Sequence, residues 1–309
     1  MRVSVIIVSY NTKELTVEAV RCVQDSLLVN SDLQNQIELL IVDNNSSDGS
    51  YEELKKLEHT AKIPITVLRN KKNTGFTHAN NQALFRSRGE VILLLNSDTR
   101  IHVGAIEKLY NTLVAQASNR LGILAASLQN PDGSKQAQGG ASPNLWTLMN
   151  HLLLLDDIPL LGKLLPSTQH TGRHTLTESK TLFLQGWVAG TAMAIKKEVI
   201  DEIGFLDENI FMYGEDIEFC LRAKHHHWTT AIEPQAKVVH MQAASSNKEA
   251  AILGELKGYI YIWAKHMPLW QRPLLLSIIH LGILLRWWLF ATIGRTEQAQ
   301  LYRNLSSKV

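Results

Sequence analysis

The sequence predicts an α/β fold, a mostly parallel sheet with helices on both faces. Three observations carry that expectation. Short runs rich in Val, Ile and Leu alternate with helix-forming stretches. The runs are nearly continuously apolar, as in strands covered on both faces. Three of them end in Asn- and Asp-rich clusters, and sheets of this kind bind ligands at the carboxyl ends of their strands. At 309 residues the chain is long enough for about two lobes or one large domain with a substantial core.

Val3 to Val8 reads as the first buried strand, ended by Ser9-Tyr10-Asn11. A six-residue run, apolar except for Ser4, followed by SYN with no small-residue cleavage pattern, does not make a signal peptide. Asn11 and Glu14 have the spacing of a capping box, opening an amphipathic helix to about Leu28. Ile37–Val42 is the second strand, ended by Asp43-Asn44-Asn45, with a helix following around Tyr51–Glu58. ITVLRN is the third strand, NTGFTHANNQALFRS a loop opening a helix, and EVILLLNSDT a fourth strand ending at Asn96-Ser97-Asp98. Residues 129–145 and 166–181 are Gly-, Ser-, Thr- and Pro-rich, hence loops, and flank the apolar stretch Leu145–Leu165. TAMAIKKEVIDEIG reads as a strand and a helix closed by Gly204.

Composition narrows the function. A net charge of +2 gives no general reason to expect nucleic-acid binding. Two cysteines, Cys22 and Cys220, cannot staple a secreted scaffold, so a reducing, cytoplasmic compartment is expected. The chain has no P-loop, G-x-G-x-x-G, H-E-x-x-H, C-x-x-C or G-x-S-x-G motif, which leaves carboxylates, Asn and His to carry any chemistry.

Asp43 and Asp98 each follow a buried strand, and if those strands are neighbours their carboxylates converge on one crevice. Hard oxygen ligands of this kind suit Mg²⁺ or Mn²⁺ held jointly with a diphosphate. Alone, an Asp after a strand serves as a turn or cap residue. In GFLDENIFMYGEDIEFCLRAKHHHW, the acids Glu208, Glu215, Asp216 and Glu218 crowd beside the apolar FMY. They can cap the helix that Glu215-Asp216 opens, or one of them can take a proton from a hydroxyl. The run His225-His226-His227 suggests a metal cluster, but adjacent helical residues point apart, and a solvated helix terminus explains it better.

Six segments in order complete the reading: VSVIIVSYN, IVDNNSSDGS, NTGFTHANNQAL, LLLNSDT, GTAMAIKKEVIDEIGFLDENIFMYGEDIEFCLRA and VVHMQAASS. With them the chain resembles the family-2 glycosyltransferases of GT-A fold, in particular the bacterial rhamnosyltransferase-like subgroup, from about Met1 to Ser246. The resemblance implies that Asp43 hydrogen-bonds the uracil or thymine of a nucleotide-sugar. Ser9 and Asn11 would line the same pocket with Asn45 nearby, and Asp48 would order the loop. Asn73, Gly75, Phe76 and Asn80 would border the ribose and diphosphate. Asn96 and Asp98 would face the diphosphate, with Asp98 and His240 holding a divalent metal, Mg²⁺ or Mn²⁺. Asp216 would be the general base with Glu215 beside it, and Trp187, Gly190 and Tyr213 would shape the acceptor site, Trp187 as a stacking platform. The wider family's Asp-x-Asp is Asn96-Ser97-Asp98 here, so the formal charge rests on Asp98 alone.

The implied activity is inverting, metal-dependent transfer of a sugar from dTDP-rhamnose or a UDP-sugar to a saccharide or lipid-linked acceptor, for a cell-surface polysaccharide. Two other classes bear on the same sheet. A sugar nucleotidyltransferase wants a Gly- and Arg-rich loop where this chain has SYNTKE; a catalytically silent sugar-nucleotide-binding scaffold would have no use for the carboxylates. The expected organisation is a nucleotide-sugar-binding half over 1–100, an acceptor-binding and catalytic half over 101–250, and a helical region over 251–309.

The last region differs in charge. From Pro268 onward five basic residues face one acid, net +4, and three of the seven Trp occur there, while the remaining residues carry 26 basic against 28 acidic. PLLLSIIHLGILLRWWLFATIG has the length of a spanning helix, which wants about 20 apolar residues with few charges, but Arg286 at its centre would cost about 2.5–3.5 kcal/mol on insertion scales. Clustered Trp and excess Arg favour a helix lying at the inner face of the cell membrane. The alternative buries it within the protein or in a homodimer interface.

Overall fold

The computed structural model describes residues 1–27, 33, 35–115, 120–160, 162, 164–169, 181–242 and 248–309. Most of the loop expected at 166–181, the end of the first helix near Leu28 and the Ala243–Ser246 part of the last matching segment lie outside the described residues.

Four apolar runs form the strands β1 (Val3–Ser9), β2 (Ile37–Asp43), β3 (Ile65–Arg69) and β4 (Val91–Asn96). They pair in parallel in the order β3-β2-β1-β4. Period-two alternation gives each strand two apolar faces. Val5, Ile7, Leu39, Ile41, Leu93 and Leu95 pack on one side of the sheet, and Ile6, Val8, Leu40, Val42, Ile92 and Leu94 on the other. The first side is covered by α1 (Lys13–Ser26), α2 (Ser50–Thr60) and, further along, α4 (Ala105–Ala115). The second carries α3 (Phe76–Leu84), α5 (Leu145–Leu152), α7 (Glu215–His225) and α8 (Lys248–His266).

Beyond β4 the sheet continues through β10 (Ala192–Lys196), β6 (Leu121–Gln129), β11 (Thr229–His240) and β5 (Thr99–Ile101), with β8 (Phe183–Gln185) also on β11. β10 runs antiparallel to both β4 and β6, so β6 and β11 regain the direction of the first four strands. The sheet is therefore mostly parallel, as expected, with β10 reversed at its middle and the short β5 and β8 reversed beside β11. β7 (Gly139–Gly140) and β9 (Trp187–Val188) form a separate ribbon. Helix α6 (Lys197–Ile203) follows β10 and is closed by Gly204 at φ 81°, as expected.

The expected capping box fails. Thr12 stands at the N-cap of α1 without a side-chain cap bond, and the Lys13 N–H donates to Asp48 Oδ2 from the next loop at 2.9 Å. Asn11 takes φ 52° and turns away, its Oδ1 accepting from the Ser47 N–H at 2.8 Å. A full carboxylate charge at a helix N-terminus outcompetes a neutral amide.

The C-terminal residues form α8, α9 (Gln271–Thr292) and α10 (Thr296–Leu305). On α9, Leu275, Ile279, Gly282 and Ile283 make one buried face. A side chain at Gly282 would meet the Leu152 carbonyl at 2.8 Å, so glycine lets α9 lie directly on α5. Arg286 turns inward and donates to the His151, Leu152 and Gly282 carbonyls, capping the exposed end of α5. Among the described residues one helix, α9, is long and apolar enough to cross a membrane.

Candidate active site

The register of the parallel strands brings the polar clusters together. Ser9 is opposite Asp43 and Val8 is opposite Asn96, so three strand ends share one edge. The reversed β10 brings residue 191 to the same edge, its carbonyl accepting from the Asn96 N–H at 2.9 Å. β5 and β11 pair His240 with Thr99, and the Met241 N–H donates to the Asp98 carbonyl, which puts His240 beside Asp98.

Two adjoining hollows open on this edge. One, of about 240 Å³, is walled by Val8, Tyr10, Thr12, Asn44, Asn73, Phe76, Asn96, Ser97, Asp98, Phe211 and Met212. The other, of about 350 Å³, is lined by Asn96, Asp98 and His240 together with Gly190, Thr191, Tyr213, Glu215 and Asp216. Phe76, Asn96, Asp98 and Met212 belong to both walls.

The loop that frames the first hollow depends on Asn44. Its Oδ1 accepts from Asn70 Nδ2 and from the Thr74 N–H and hydroxyl, and its Nδ2 donates to Asn73 Oδ1 and the Gly75 carbonyl. Asn73 Oδ1 also accepts from the Gly75 N–H at 3.0 Å. Gly75 stands at φ 88°, and a side chain there would strike Phe211, whose carbonyl accepts from the Phe76 N–H. In the sequence Asn44 is one member of a polar cluster. Nothing local marks it as a hub, because the partners of its side chain all come from residues 70–75.

Other expected residues take different positions. Ser9 falls on the same side of the sheet as Val5 and Ile7, fully buried, with its hydroxyl 2.9 Å from that of Thr16; it lies beneath the hollow and Tyr10 and Thr12 line it instead. Asn80 is buried and donates to the Phe76 carbonyl within α3. Trp187, expected as a stacking platform, is 4% exposed with its indole N–H on the Thr168 carbonyl at 2.7 Å, so it is a core residue. Strand β9 faces the interior here, which period alone could not reveal. Asn45, at φ 70°, is exposed. Asp48 ties the loop down, also accepting from the Ser50 N–H at 3.0 Å. Asp43 is fully buried outside both walls; Ser46 N–H is 3.4 Å from Oδ2, while Oδ1 has no partner.

Unpartnered buried polar atoms are rare in folded proteins. Of six such side-chain atoms among the described residues, three are Asp43 Oδ1, Asn96 Oδ1 and Glu215 Oε2, at positions the sequence singled out.

The four acids of the 208–218 segment separate. Glu218 is buried in an ion cluster with Arg222, Lys265 and His266, and Glu208 bonds His78 and Asn81. Glu215 and Asp216 alone face the second hollow. Asp216 accepts from the Gly190 N–H at 3.1 Å and from the Ile217 N–H at 2.8 Å. Burial pushes both carboxyls above the usual range, and the neighbouring Asp216 charge pushes Glu215 further. The two backbone donors on Asp216 favour its anion and partly offset the effect of burial there. The three histidines end α7 and diverge, His225 packing against the His266 ring and His226 reaching Glu202.

Helix α8 holds this loop in place through two glycines. A side chain at Gly258 would meet the Tyr213 carbonyl at 2.6 Å, and one at Gly254 the Tyr213 ring at 2.7 Å. Gly258→Ala should destabilise the protein by about 1–3 kcal/mol through overpacking, although alanine alone would favour the helix. Thermal unfolding checks the sign, and a rise in Tm would sink the packing argument.

For a divalent cation, Asp98 Oδ1 and His240 Nε2 lie 3.3 Å apart in the wall of the second hollow. No group of three or more metal-ligating side chains occurs among the described residues. The two therefore suit a cation whose remaining ligands are diphosphate oxygens and water, which is how Mg²⁺ and Mn²⁺ commonly sit with phosphates.

Comparison with known proteins places these features in context. The family model for glycosyl transferase family 2 matches residues 4–204. An N-acetylglucosaminyl-diphospho-decaprenol L-rhamnosyltransferase of Mycobacterium tuberculosis is 24% identical over 256 residues, covering 78% of this chain and 79% of that protein. The low-salt glycan biosynthesis hexosyltransferase Agl10 of Haloferax volcanii is 27% identical over 225 residues, 72% of this chain and 61% of that protein. Among solved structures, a mannosyltransferase of Pyrobaculum calidifontis in complex with GDP-Man and Mn²⁺ aligns with a TM-score of 0.57 at 16% identity, over 99% of this chain and 83% of the other. At that identity the likeness speaks to the GT-A fold alone.

Proposed function

This chain belongs to glycosyl transferase family 2, and from that premise we propose that it is an inverting, metal-dependent transferase. Its donor is dTDP-rhamnose or a UDP-sugar, and its acceptor a saccharide or lipid-linked sugar destined for a cell-surface polysaccharide. One observation carries the reading: Asp98, His240 and Asp216 line a single hollow of about 350 Å³. A sugar between them has its leaving group toward Asp98 and its open face toward Asp216.

The residues divide the work accordingly. The first hollow, framed by the Asn44 hub, takes the nucleoside. Asp98 and His240 hold Mg²⁺ or Mn²⁺ against the diphosphate. When bound, that cation neutralises the charge growing on the leaving group. Asp216, anionic and held by two backbone N–H groups, takes the proton from the acceptor hydroxyl. The acceptor oxygen bonds to the anomeric carbon as its bond to the diphosphate breaks, from the opposite face, so the centre inverts. Glu215, protonated beside it, adds no second negative charge against the donor. Assay of a nucleotide-sugar panel with Mn²⁺ and Mg²⁺ tests this; transfer from no donor, with none hydrolysed, would reject it.

A lipid-linked acceptor is supported by the surface of α9 and by the acceptor in the mycobacterial relative's name. With Arg286 turned into the protein, Leu281, Leu284, Trp287 and Trp288 remain exposed, as do Leu269 and Trp270 before the helix. That face suits the lipid headgroup region. Exchanging Leu284 and Trp288 for Glu should lower partition of the full chain into anionic liposomes at least several-fold. Equal partition of the two proteins in a sedimentation assay would end the membrane reading.

A further inference from the structure

The turn after β6 carries a chain of polar side chains whose direction can be read from its far end. Asp132 is a carboxylate, held below the usual range by the Ser134 hydroxyl, and so only accepts. Ser134 must therefore donate its proton to Asp132 Oδ1, at 2.6 Å. Its oxygen then accepts from Asn130 Nδ2 at 2.9 Å. That leaves Asn130 Oδ1 to accept from Gln136 Nε2, also at 2.9 Å. The Gln136 amide is thereby oriented, with Oε1 facing His240 Nδ1 at 2.7 Å. Since Oε1 has no proton to give, Nδ1 must carry one. In the neutral ring the other nitrogen, Nε2, is then a bare lone pair, and it points at Asp98 Oδ1 at 3.3 Å. Two acceptors set side by side at that distance form a ready pair of ligands for a shared cation.

The scaffold holds this arrangement firmly. Gln136 is 5% exposed, and its backbone N–H donates to the Leu128 carbonyl, while the turn closes through Asn130 and Ser134. Nothing in the transfer chemistry itself uses Asn130, Ser134 or Gln136.

We propose that the 130–136 turn is an orienting relay for the cation site, in which Gln136 is a positioning residue that holds His240 in its Nδ1–H tautomer and so presents Nε2 to a divalent cation shared with Asp98. The inference rests on the reading of Asp98 and His240 as cation ligands. Metal-bound histidines commonly donate their second N–H in this way, and loss of the partner lowers metal affinity by roughly 10–100-fold.

The test uses the full chain, with Mn²⁺ titrated in the presence of UDP or dTDP and followed by electron paramagnetic resonance. Long-range ¹H–¹⁵N spectra of the imidazoles report the tautomer of His240 before metal is added. Wild-type protein should show the Nδ1–H form. Gln136→Leu, which removes the acceptor, should shift the ring to the Nε2–H form facing Asp98 and weaken Mn²⁺ by about 10–100-fold. Gln136→Glu keeps an acceptor and should retain both the tautomer and the affinity. A Gln136→Leu protein with unchanged tautomer and Mn²⁺ affinity within twofold of wild type overturns the relay. Should that variant fail to fold, the wild-type spectrum decides, since an Nε2–H ring there overturns it equally. Wild-type protein that takes up no Mn²⁺ at all would instead overturn the cation reading beneath it, a result the tautomer measurement keeps separate.

Discussion

Asp216→Asn should lower the rate of sugar transfer by about 10²–10⁴-fold, the range of a general base, while leaving nucleotide-sugar affinity within about twofold. The amide is nearly isosteric, and its oxygen can still accept from one of the Gly190 and Ile217 N–H groups. The loop therefore keeps its shape and loses only basicity. The same residue sets the pH profile. Burial raises the Asp216 carboxyl above its ordinary value, so the base is protonated, and idle, at pH values where an exposed aspartate is already ionised. Activity should thus rise with pH along a limb lying above the usual carboxylate range and flatten once Asp216 is ionised. Glu215→Gln removes the neighbouring titration and should leave a single-group limb. Turnover retained in Asp216→Asn, or a limb at the pKa of an exposed aspartate, would reject Asp216 as the base.

Asp98→Ala should have the second-largest effect. This chain has Asn96 where a second carboxylate is common, so removing Asp98 takes away the only formal negative charge that the strand β4 edge offers a cation. Mn²⁺-dependent binding of UDP or dTDP should weaken by at least the roughly 10–100-fold expected for losing even an indirect metal contact. Binding of the uncharged nucleoside should change far less, because it carries no diphosphate to share a cation with Asp98, and Asn44, Asn73 and Phe76 keep their places in the wall of the nucleoside hollow. Calorimetry that finds the same metal-dependent affinity in Asp98→Ala and wild type would contradict the assignment.

Local sequence determined the strands, the polar clusters at their ends and the pair Glu215-Asp216. Short apolar runs of strand length, rich in β-branched residues, pack best in a covered sheet, and the polar residues that follow them fall at its edge. The strand β10 escaped that logic. AMAIK reads as a strand, but its reversed insertion between β4 and β6 depends on partners about 70 to 100 residues distant. Side-chain direction at the strand ends escaped it too. Ser9 and Asp98 both follow apolar runs, yet one is sealed under α1 and the other lines the site.

The sorting of acids and amides was likewise a tertiary matter. Glu218 reads no differently from Asp216 until Lys265 and His266 arrive from α8 to neutralise it. Gln136 lies in a stretch legible only as loop, and its bond to His240 spans 104 residues. What the sequence determined by itself was which residue types stand at the binding edge, because hydrophobic periodicity is a local property. Only the tertiary structure decided which of them are spent on each other and which stay free for a ligand, because hydrogen-bond partners and buried charges are settled by whatever else folds into reach.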